Sequence, residues 1–316
     1  MTYSEIAGLG IGPVVMFHYF HDAEHYNSAG SLSQEDLERL IRKLMEKYSV
    51  VSLDEYMEHW ARTGETSQLA ALTFDDGLRC QTEVALPVLQ FHQVPGSFFV
   101  PTEGLYSGIG RLESYRYLRS SCFKSEDDYF SAFEAAAVDF GYLQTWTKEL
   151  EDQANSFRSD IPFYSRAERR FRFLRDEFLS DEKYDAINAV LMRATGVTHR
   201  EVSERFLMTG KDLKLLRNEG HEIGLHSHSH APRLHLSPQS VQNDDYSLAL
   251  SILEELSAHR VTRAAFPFGR FGESTISVMR DLEMRAAFRA DSSNLRAVTS
   301  FQFPRIDSSE LMRHFF

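Results

Sequence analysis

Short apolar runs recur along the chain, and the segments between them carry apolar residues at helical spacing. Runs of four to eight apolar residues bounded by turn-forming residues are typical of buried strands. We predict strands at residues 13–17, 50–53, 69–74, 97–100, 221–226, 263–268, 285–289 and 303–307. Strands that alternate with helices in this way indicate an α/β fold with a parallel sheet.

Two helix starts carry a hydroxyl residue with an aspartate three positions later, Ser33 with Asp36 and Thr209 with Asp212. This spacing satisfies the first backbone amides of a helix. One apolar face follows the first pair: Leu37, Leu40, Ile41, Leu44 and Tyr48. Further helices are predicted at residues 82–91, 237–256 and 273–282, the first with a kink at Pro87.

Residues 104–206 interrupt the alternation of strands and helices. They are rich in aromatic and charged residues, and residues 127–136, 166–178 and 181–195 are amphipathic at helical spacing. We interpret the whole chain, residues 1–316, as a single domain with 104–206 as a mostly helical insertion or cap. Because it follows the strand at 97–100, we expect it beside the carboxyl ends of the strands, with most of its aromatic residues in a small core of its own.

The composition of the chain disfavours some classes of binding partner and of cellular location. The 34 basic and 46 acidic residues give a formal net charge of −12, which disfavours binding to nucleic acid and to anionic lipid. No run approaches the roughly 18 apolar residues of a spanning helix, and the first residues lack the pattern of a secretory leader. Cys80 and Cys122 form no metal-binding or disulfide pattern. Together these features favour a cytoplasmic protein.

Two adjacent carboxylates, Asp75 and Asp76, follow a predicted strand and precede Gly77. The carboxyl ends of parallel strands are where sites form in α/β folds. Neighbouring side chains on a strand point to opposite faces, so both acids serve one site only if the chain turns, which Gly77 permits. One acid would then bind a metal ion while the other acts as a base. A polar turn with two solvated acids explains the motif equally well.

Four histidines lie within residues 221–230, of 13 in the whole chain. On a straight strand His226 and His230 would lie roughly 13 Å apart, at about 3.3 Å per residue. Two imidazoles that each approach one zinc ion to about 2.1 Å cannot span that distance. The chain must therefore turn after His226 if both are ligands. We expect His221 to have a role at the start of the strand and His228 to point away; the alternative is a surface cluster without ligands.

An aspartate with two histidines makes a hydrolytic metal centre when coordination positions remain open for water or substrate. The chain has no G-x-S-x-G motif, and its cysteines have no histidine partners in sequence. It also lacks a Walker A or G-x-G-x-x-G motif after a strand. Metal-assisted hydrolysis therefore explains these residues better than a serine or cysteine nucleophile.

Residues 73–77 (Thr-Phe-Asp-Asp-Gly) and 226–230 (His-Ser-His-Ser-His) resemble the first two motifs of the polysaccharide deacetylase superfamily, also called the NodB-homology or carbohydrate esterase family 4 superfamily. Residues 265–269 (Ala-Phe-Pro-Phe-Gly) resemble the third motif. Residues 15–18 (Val-Met-Phe-His) resemble the first strand of the branch that acts on poly-N-acetylglucosamine. The similarity covers about residues 12–104 and 206–308.

The resemblance implies an α/β fold, a distorted (β/α) barrel that hydrolyses N-acetyl or related acyl groups on sugars. It assigns Asp75 as the base, and Asp76, His226 and His230 as ligands of a divalent metal ion. Zinc is the expected ion, although ligand type alone leaves cobalt, nickel and iron open. The expected substrate is an N-acylated sugar or glycan precursor, and the oligomeric state stays open.

Two departures from the family pattern concern the catalytic residues. The arginine that often holds the base in the third motif is replaced by Ala265, and Arg305 could substitute for it. The late Leu-x-His motif, which carries the acid, is absent. We predict His18 as the acid in preference to His314; alternatively His18 only hydrogen-bonds Asp75, and Asp75 itself returns the proton.

Three residues are assigned to substrate binding: Pro267, Phe268 and Arg305. Other activities are compatible with the same fold, namely removal of formyl groups from lipid-linked sugars and hydrolysis of cyclic amides. A non-catalytic glycan-binding protein is the alternative from a different class, and it would predict loss of Asp75 or of a ligand.

Overall fold

A parallel sheet forms the frame of the molecule in this computed structural model, which describes residues 8–28, 30–159, 164–290 and 298–316. The strands are β1 (Val14–Phe17), β2 (Ser49–Val50), β3 (Leu69–Asp75), β4 (Ser97–Val100), β5 (Glu222–Leu225), β6 (Arg263–Ala265), β7 (Ala286–Phe288) and β8 (Ile306–Asp307). Their order is β7-β6-β5-β4-β3-β1-β8, with β2 beside β3, and each pair is parallel.

The ends of this sheet approach each other through the segment before β8. Phe303 forms a parallel bridge with Phe288 of β7, whereas Ile306 pairs with Val15 of β1. The same short stretch of chain thus contacts both edges of the sheet. The result is the distorted (β/α) barrel that the motifs imply.

Phenylalanine side chains from three neighbouring strands stack on one face of the sheet. Phe17, Phe74 and Phe98 are in register, with ring centroids 5.1 Å and 4.6 Å apart. On the opposite face, Phe99 lies against Gly224, where an added Cβ would come within 2.3 Å of its ring. Gly224 is therefore needed for close packing of β4 on β5.

The helices follow the strands in chain order. They are α1 (Gln34–Met45), α2 (Leu53–Thr63), α3 (Leu86–His92), α4 (Glu103–Ser107), α5 (Arg111–Ser121), α6 (Glu126–Asp139), α7 (Lys148–Ser156), α8 (Arg166–Phe173), α9 (Asp181–Thr195), α10 (His199–Phe206), α11 (Gly210–Asn218), α12 (Gln239–Ser257), α13 (Glu273–Asp281) and α14 (Ser308–Phe315). Both predicted Ser/Thr–Asp capping pairs are confirmed. No helix within the described ranges is long and apolar enough to cross a membrane.

One local prediction was wrong and another was confirmed in detail. Residues 50–53 were expected to be a strand, but β2 ends at Val50 and α2 begins at Leu53, because the Ser52 hydroxyl accepts from the amide of Glu55 at 3.1 Å. The helix expected over 82–91 with a kink at Pro87 is confirmed: a π-helical turn, Gln81–Ala85, leads directly into α3. Pro87 lies in the first turn of α3, where a helix needs no amide donor.

The chain divides into two compact units. The barrel unit comprises Met1–Ser107, Arg205–His230 and His235–Phe316, and the helical unit comprises Gly108–Glu204 and Ala231–Leu234. Aromatic residues form a core within the helical unit, as predicted: the rings of Phe130 and Phe171 stack at 5.0 Å, and Tyr129 donates to Asn188 at 2.8 Å. The role of residues 104–206 as a cap stays a prediction.

Candidate active site

Asp75 and Asp76 lie at the carboxyl end of β3, where the chain turns sharply. Asp76 has a φ of 78° and Gly77 a φ of 61°, so two consecutive residues adopt the left-handed conformation. Aspartate tolerates this conformation better than most residues. At Gly77 an added Cβ would also lie 2.7 Å from Val100, so a side chain there would be both strained and crowded. The turn buries both carboxylates at one site, which excludes the alternative of two solvated acids.

His226 and His230 are brought together by a second turn after β5. Ser227 and His230 have φ values of 65° and 48°. The amide of His230 donates to the Ser227 hydroxyl at 3.0 Å, which closes the turn. The Nε2 atoms of the two histidines lie 3.2 Å apart. The predicted departure from the strand is therefore confirmed.

The donor atoms of Asp76, His226 and His230 fit a single metal ion. Oδ1 of Asp76 lies 3.5 Å from Nε2 of His226 and 3.2 Å from Nε2 of His230. Ligands about 2.1 Å from one ion at tetrahedral angles lie about 3.4 Å from each other. The Nδ1 atom of His226 lies 2.8 Å from the carbonyl oxygen of Ala265 and so carries a proton. The lone pair of its Nε2 is therefore directed to the other donors.

Arg305 is the direct partner of Asp75. Its Nη1 and Nη2 atoms lie 2.7 Å and 2.6 Å from the two carboxylate oxygens, and Nη1 also lies 3.2 Å from the Thr73 hydroxyl. Burial opposes ionisation of Asp75, yet the charge and the hydrogen bonds of Arg305 bring the pKa of this carboxyl below its ordinary value. Asp75 is thereby kept in the ionised form that a base requires.

This geometry corrects the assignment of Arg305 to substrate binding. Its side chain is only 1% exposed and is engaged by Asp75, Thr73 and the carbonyl oxygen of Arg289. The other interpretation, in which Arg305 substitutes for the arginine missing at Ala265, agrees with these contacts.

His18 follows β1 and lies beside the two acids. Its Nε2 atom is 4.0 Å from Oδ2 of Asp75 and equally far from Oδ2 of Asp76, and its side chain is 28% exposed. A distance of 4.0 Å is too long for the direct hydrogen bond to Asp75 that the alternative role requires. His314 lies in α14, the last helix of the chain.

The residues of the third motif leave the strand earlier than expected. β6 ends at Ala265, and Phe268 has a φ of 56°. The ring of Phe268 packs edge-on against the ring of His230 at 4.8 Å, while Pro267 is buried. Contact of Pro267 and Phe268 with a substrate stays a prediction.

Two further residues at the site were not identified from the sequence. Gln81 is buried and donates to the carbonyl oxygens of Asp75 at 2.6 Å and of His18 at 3.0 Å, which joins the ends of β3 and β1. Asp245 of α12 accepts from two amides of the histidine turn. Neither belongs to a motif, and the only signal was their polarity on otherwise amphipathic helices.

The other two histidines of the cluster have structural contacts. His221 precedes β5, and its Nδ1 atom accepts from the amide of Gly96 at 3.0 Å. Burial lowers the pKa of His221 and keeps it neutral. Nδ1 of His228 lies 2.8 Å from the Thr102 hydroxyl. Both observations agree with the roles expected for these two residues.

Comparison with known proteins gives a family match over part of the sequence and a shared fold with solved structures. The polysaccharide deacetylase family model matches residues 180–287, about a third of the chain. Curated protein sequences give no match. Several solved structures share the fold at low identity, which shows a common fold and no more.

Three of these structures match over almost their whole length. IcaB from Ammonifex degensii has a TM-score of 0.56 and 14% identity, with 94% of this chain and 91% of that chain covered. A de-N-acetylase from Aggregatibacter actinomycetemcomitans has a TM-score of 0.55 and 13% identity, covering 96% and 99%. The Streptococcus pyogenes deacetylase PplD, in complex with acetate, has a TM-score of 0.54 and 14% identity, covering 93% and 91%.

Proposed function

We propose that this chain is a metal-dependent carbohydrate N-deacetylase. Its resemblance to the polysaccharide deacetylase superfamily rests on a family match, a shared fold and an intact set of site residues. It would remove an N-acyl group, in the first instance acetyl, from an amino sugar of a glycan or glycan precursor. The observation that carries the proposal is the convergence of Asp76, His226 and His230 beside Asp75. The names of the relatives, deacetylase and de-N-acetylase, support the same reaction.

The residues of the chain have distinct roles in this reaction. A divalent cation held by Asp76, His226 and His230 would polarise the amide carbonyl and lower the pKa of water. Asp75 accepts the proton of the attacking water, and Arg305 holds its carboxylate ionised and in one orientation. The departing amine needs a proton in return, which His18 supplies in our proposal.

The buried Asp–His–His set favours this function over its rivals. A cyclic-amide hydrolase that works without metal has no need for three converging donors at 3.2–3.5 Å. A non-catalytic glycan-binding protein has no need for a buried aspartate whose pKa is held low. Such an arrangement is costly to bury and is typical of a catalytic site.

Release of acetate from N-acetylglucosamine oligomers by the zinc-loaded protein tests the proposal. We expect free amine and acetate in equal amounts, and no product from the Asp75→Asn variant. N-formylated sugars and cyclic amides, supplied in parallel, test the rival activities. Zinc-loaded protein that releases no acyl group from any amino sugar would contradict the proposal.

A further inference from the structure

The turn that carries the two histidine ligands is held by a carboxylate from a different element. Oδ1 of Asp245 accepts from the amide of His228 at 2.7 Å, and Oδ2 accepts from the amide of Ser229 at 3.1 Å. These two amides lie between the ligands His226 and His230. One side chain thus accepts from two of the three backbone amides in the segment that sets the distance between the ligands.

Asp245 is presented by a rigid support. It lies in α12, which packs along β5, the strand that ends just before the histidine turn. Tyr246, Ala249 and Leu253 anchor this helix in the core. The carboxylate is therefore fixed with respect to the strand, and its two hydrogen bonds fix the turn in the same frame.

The turn needs such support because its backbone is strained. Ser227 and His230 both adopt left-handed φ values, 65° and 48°. A residue other than glycine in this region costs of order 1–3 kcal/mol and persists only where the surroundings impose it. Without Asp245, the segment loses two of the hydrogen bonds that hold it in this conformation, and a shift of its backbone would move the Nε2 atoms of the histidines apart.

We infer that Asp245 is a positioning residue for the metal centre: it holds the turn in which His226 and His230 point their Nε2 atoms at one ion. The inference rests on the proposed metal-binding function and extends it to a residue outside the three ligands. Hydrogen bonds that orient ligands from outside the coordination sphere are typically worth about 10- to 100-fold in metal affinity.

The experiment measures zinc affinity by competition with a chelator, and the visible spectrum of the cobalt-substituted protein, for the full chain and three variants. Asp245→Ala removes both acceptors, and Asp245→Asn leaves one acceptor oxygen. Asp244→Asn is the matched control, since it removes the same charge from the neighbouring, exposed position of the same helix. We expect wild-type affinity for Asp244→Asn, about 10- to 100-fold weaker binding for Asp245→Ala, and an intermediate value for Asp245→Asn.

A change in the cobalt spectrum of Asp245→Ala would show altered ligand geometry, which loss of general stability does not produce. If that variant does not fold, as judged by circular dichroism, Asp245→Asn decides. Wild-type protein that binds no metal would refute the proposed function itself. Wild-type protein that binds metal, with Asp245 variants of equal affinity and unchanged spectrum, would overturn this inference alone.

Discussion

Arg305 and Asp75 form a two-point ion pair, with Nη1 2.7 Å from Oδ1 and Nη2 2.6 Å from Oδ2. The pair is buried and joins residues 230 positions apart in the sequence. Such paired hydrogen bonds fix both the charge and the orientation of a carboxylate. Arg305 thereby gives the proposed base one rotamer and one protonation state.

Arg305→Gln removes the charge that lowers the pKa of Asp75, so burial then raises that pKa. The base would be protonated up to a higher pH, and the acidic limb of kcat/KM should move to higher pH. A pH profile measured at saturating zinc checks this shift. Arg305→Lys keeps the charge but loses the paired geometry, so we expect a lower kcat with little displacement of the limb.

Arg313→Gln is the control for loss of one positive charge, because Arg313 is exposed on the nearby helix α14. It should leave the acidic limb in place. An unchanged limb in folded Arg305→Gln would show that Arg305 does not control ionisation of the base.

Measurements of rate and of metal content should distinguish the role of Asp75 from the role of the metal ligands. Asp75→Asn removes the base and should lower kcat by several orders of magnitude while zinc content stays near one ion per chain. His226→Ala removes a ligand and should lose both. Metal analysis by atomic emission, beside the deacetylation assay, measures the two quantities. Equal loss of metal in both variants would mean that the roles of Asp75 and Asp76 are reversed.

The sequence was sufficient for the parts of the site that local motifs encode. Asp75 and Asp76 follow one strand, His226 and His230 lie four residues apart, and steric limits on the chain already required a turn between the histidines. The pairing of Arg305 with Asp75 was open, because it depends on how the segment from Phe303 to β8 closes the barrel. The spacing of apolar residues along the chain does not show how the two edges of the sheet meet.

Asp245 and Gln81 were missed for a related reason. Their partners are backbone amides and carbonyl groups of other elements. Every residue has such groups, so the sequence does not show which of them a polar side chain will contact. The helix α2 was missed altogether, because Ser52 is compatible with a short strand and with a helix cap, and tertiary packing decides between them. The alternating pattern nevertheless predicted seven of the eight strands in the described part of the chain close to their observed positions.

A charge pair in the helical unit should make its stability depend on pH in acid. Glu151 pairs with Arg170, and this hydrogen bond lowers the pKa of Glu151 from 4.5 to about 2. A depressed pKa stabilises the fold above pH 4.5, and the contribution is lost as the pH falls towards 2. Because the pair is partly solvated, we expect at most about 1 kcal/mol.

Thermal unfolding from pH 7 to pH 2 measures this contribution as the difference between wild type and Glu151→Gln. The difference should shrink over the range from about 4.5 to about 2. Glu149→Gln, an exposed neighbour in α7, should show no such dependence. If the difference in stability between wild type and Glu151→Gln stays constant with pH, Glu151 does not contribute to the pH dependence of stability in acid.

His18 should supply the proton to the leaving amine. Its Nε2 atom lies 4.0 Å from both Asp75 and Asp76, at the same rim of the barrel, and its side chain is open to solvent on one side. It is therefore close enough to reach a substrate held between the base and the metal ligands. Its Nε2 atom is not engaged in a direct hydrogen bond to Asp75. Histidine suits this role near neutral pH.

In His18→Gln, kcat/KM should lose its alkaline limb, because that limb reports an acid that must be protonated in the free enzyme. Its rate should fall by about 10²- to 10⁴-fold, the usual contribution of a positioned acid. His314→Gln, in α14, serves as the matched control and should keep the bell-shaped profile. A bell-shaped profile in both variants would leave Asp75 as the residue that returns the proton. Substrates whose leaving amine has a lower pKa provide a second test, because such amines depend less on protonation by an acid. If His18 is the acid, these substrates should raise the rate of His18→Gln more than the rate of wild type.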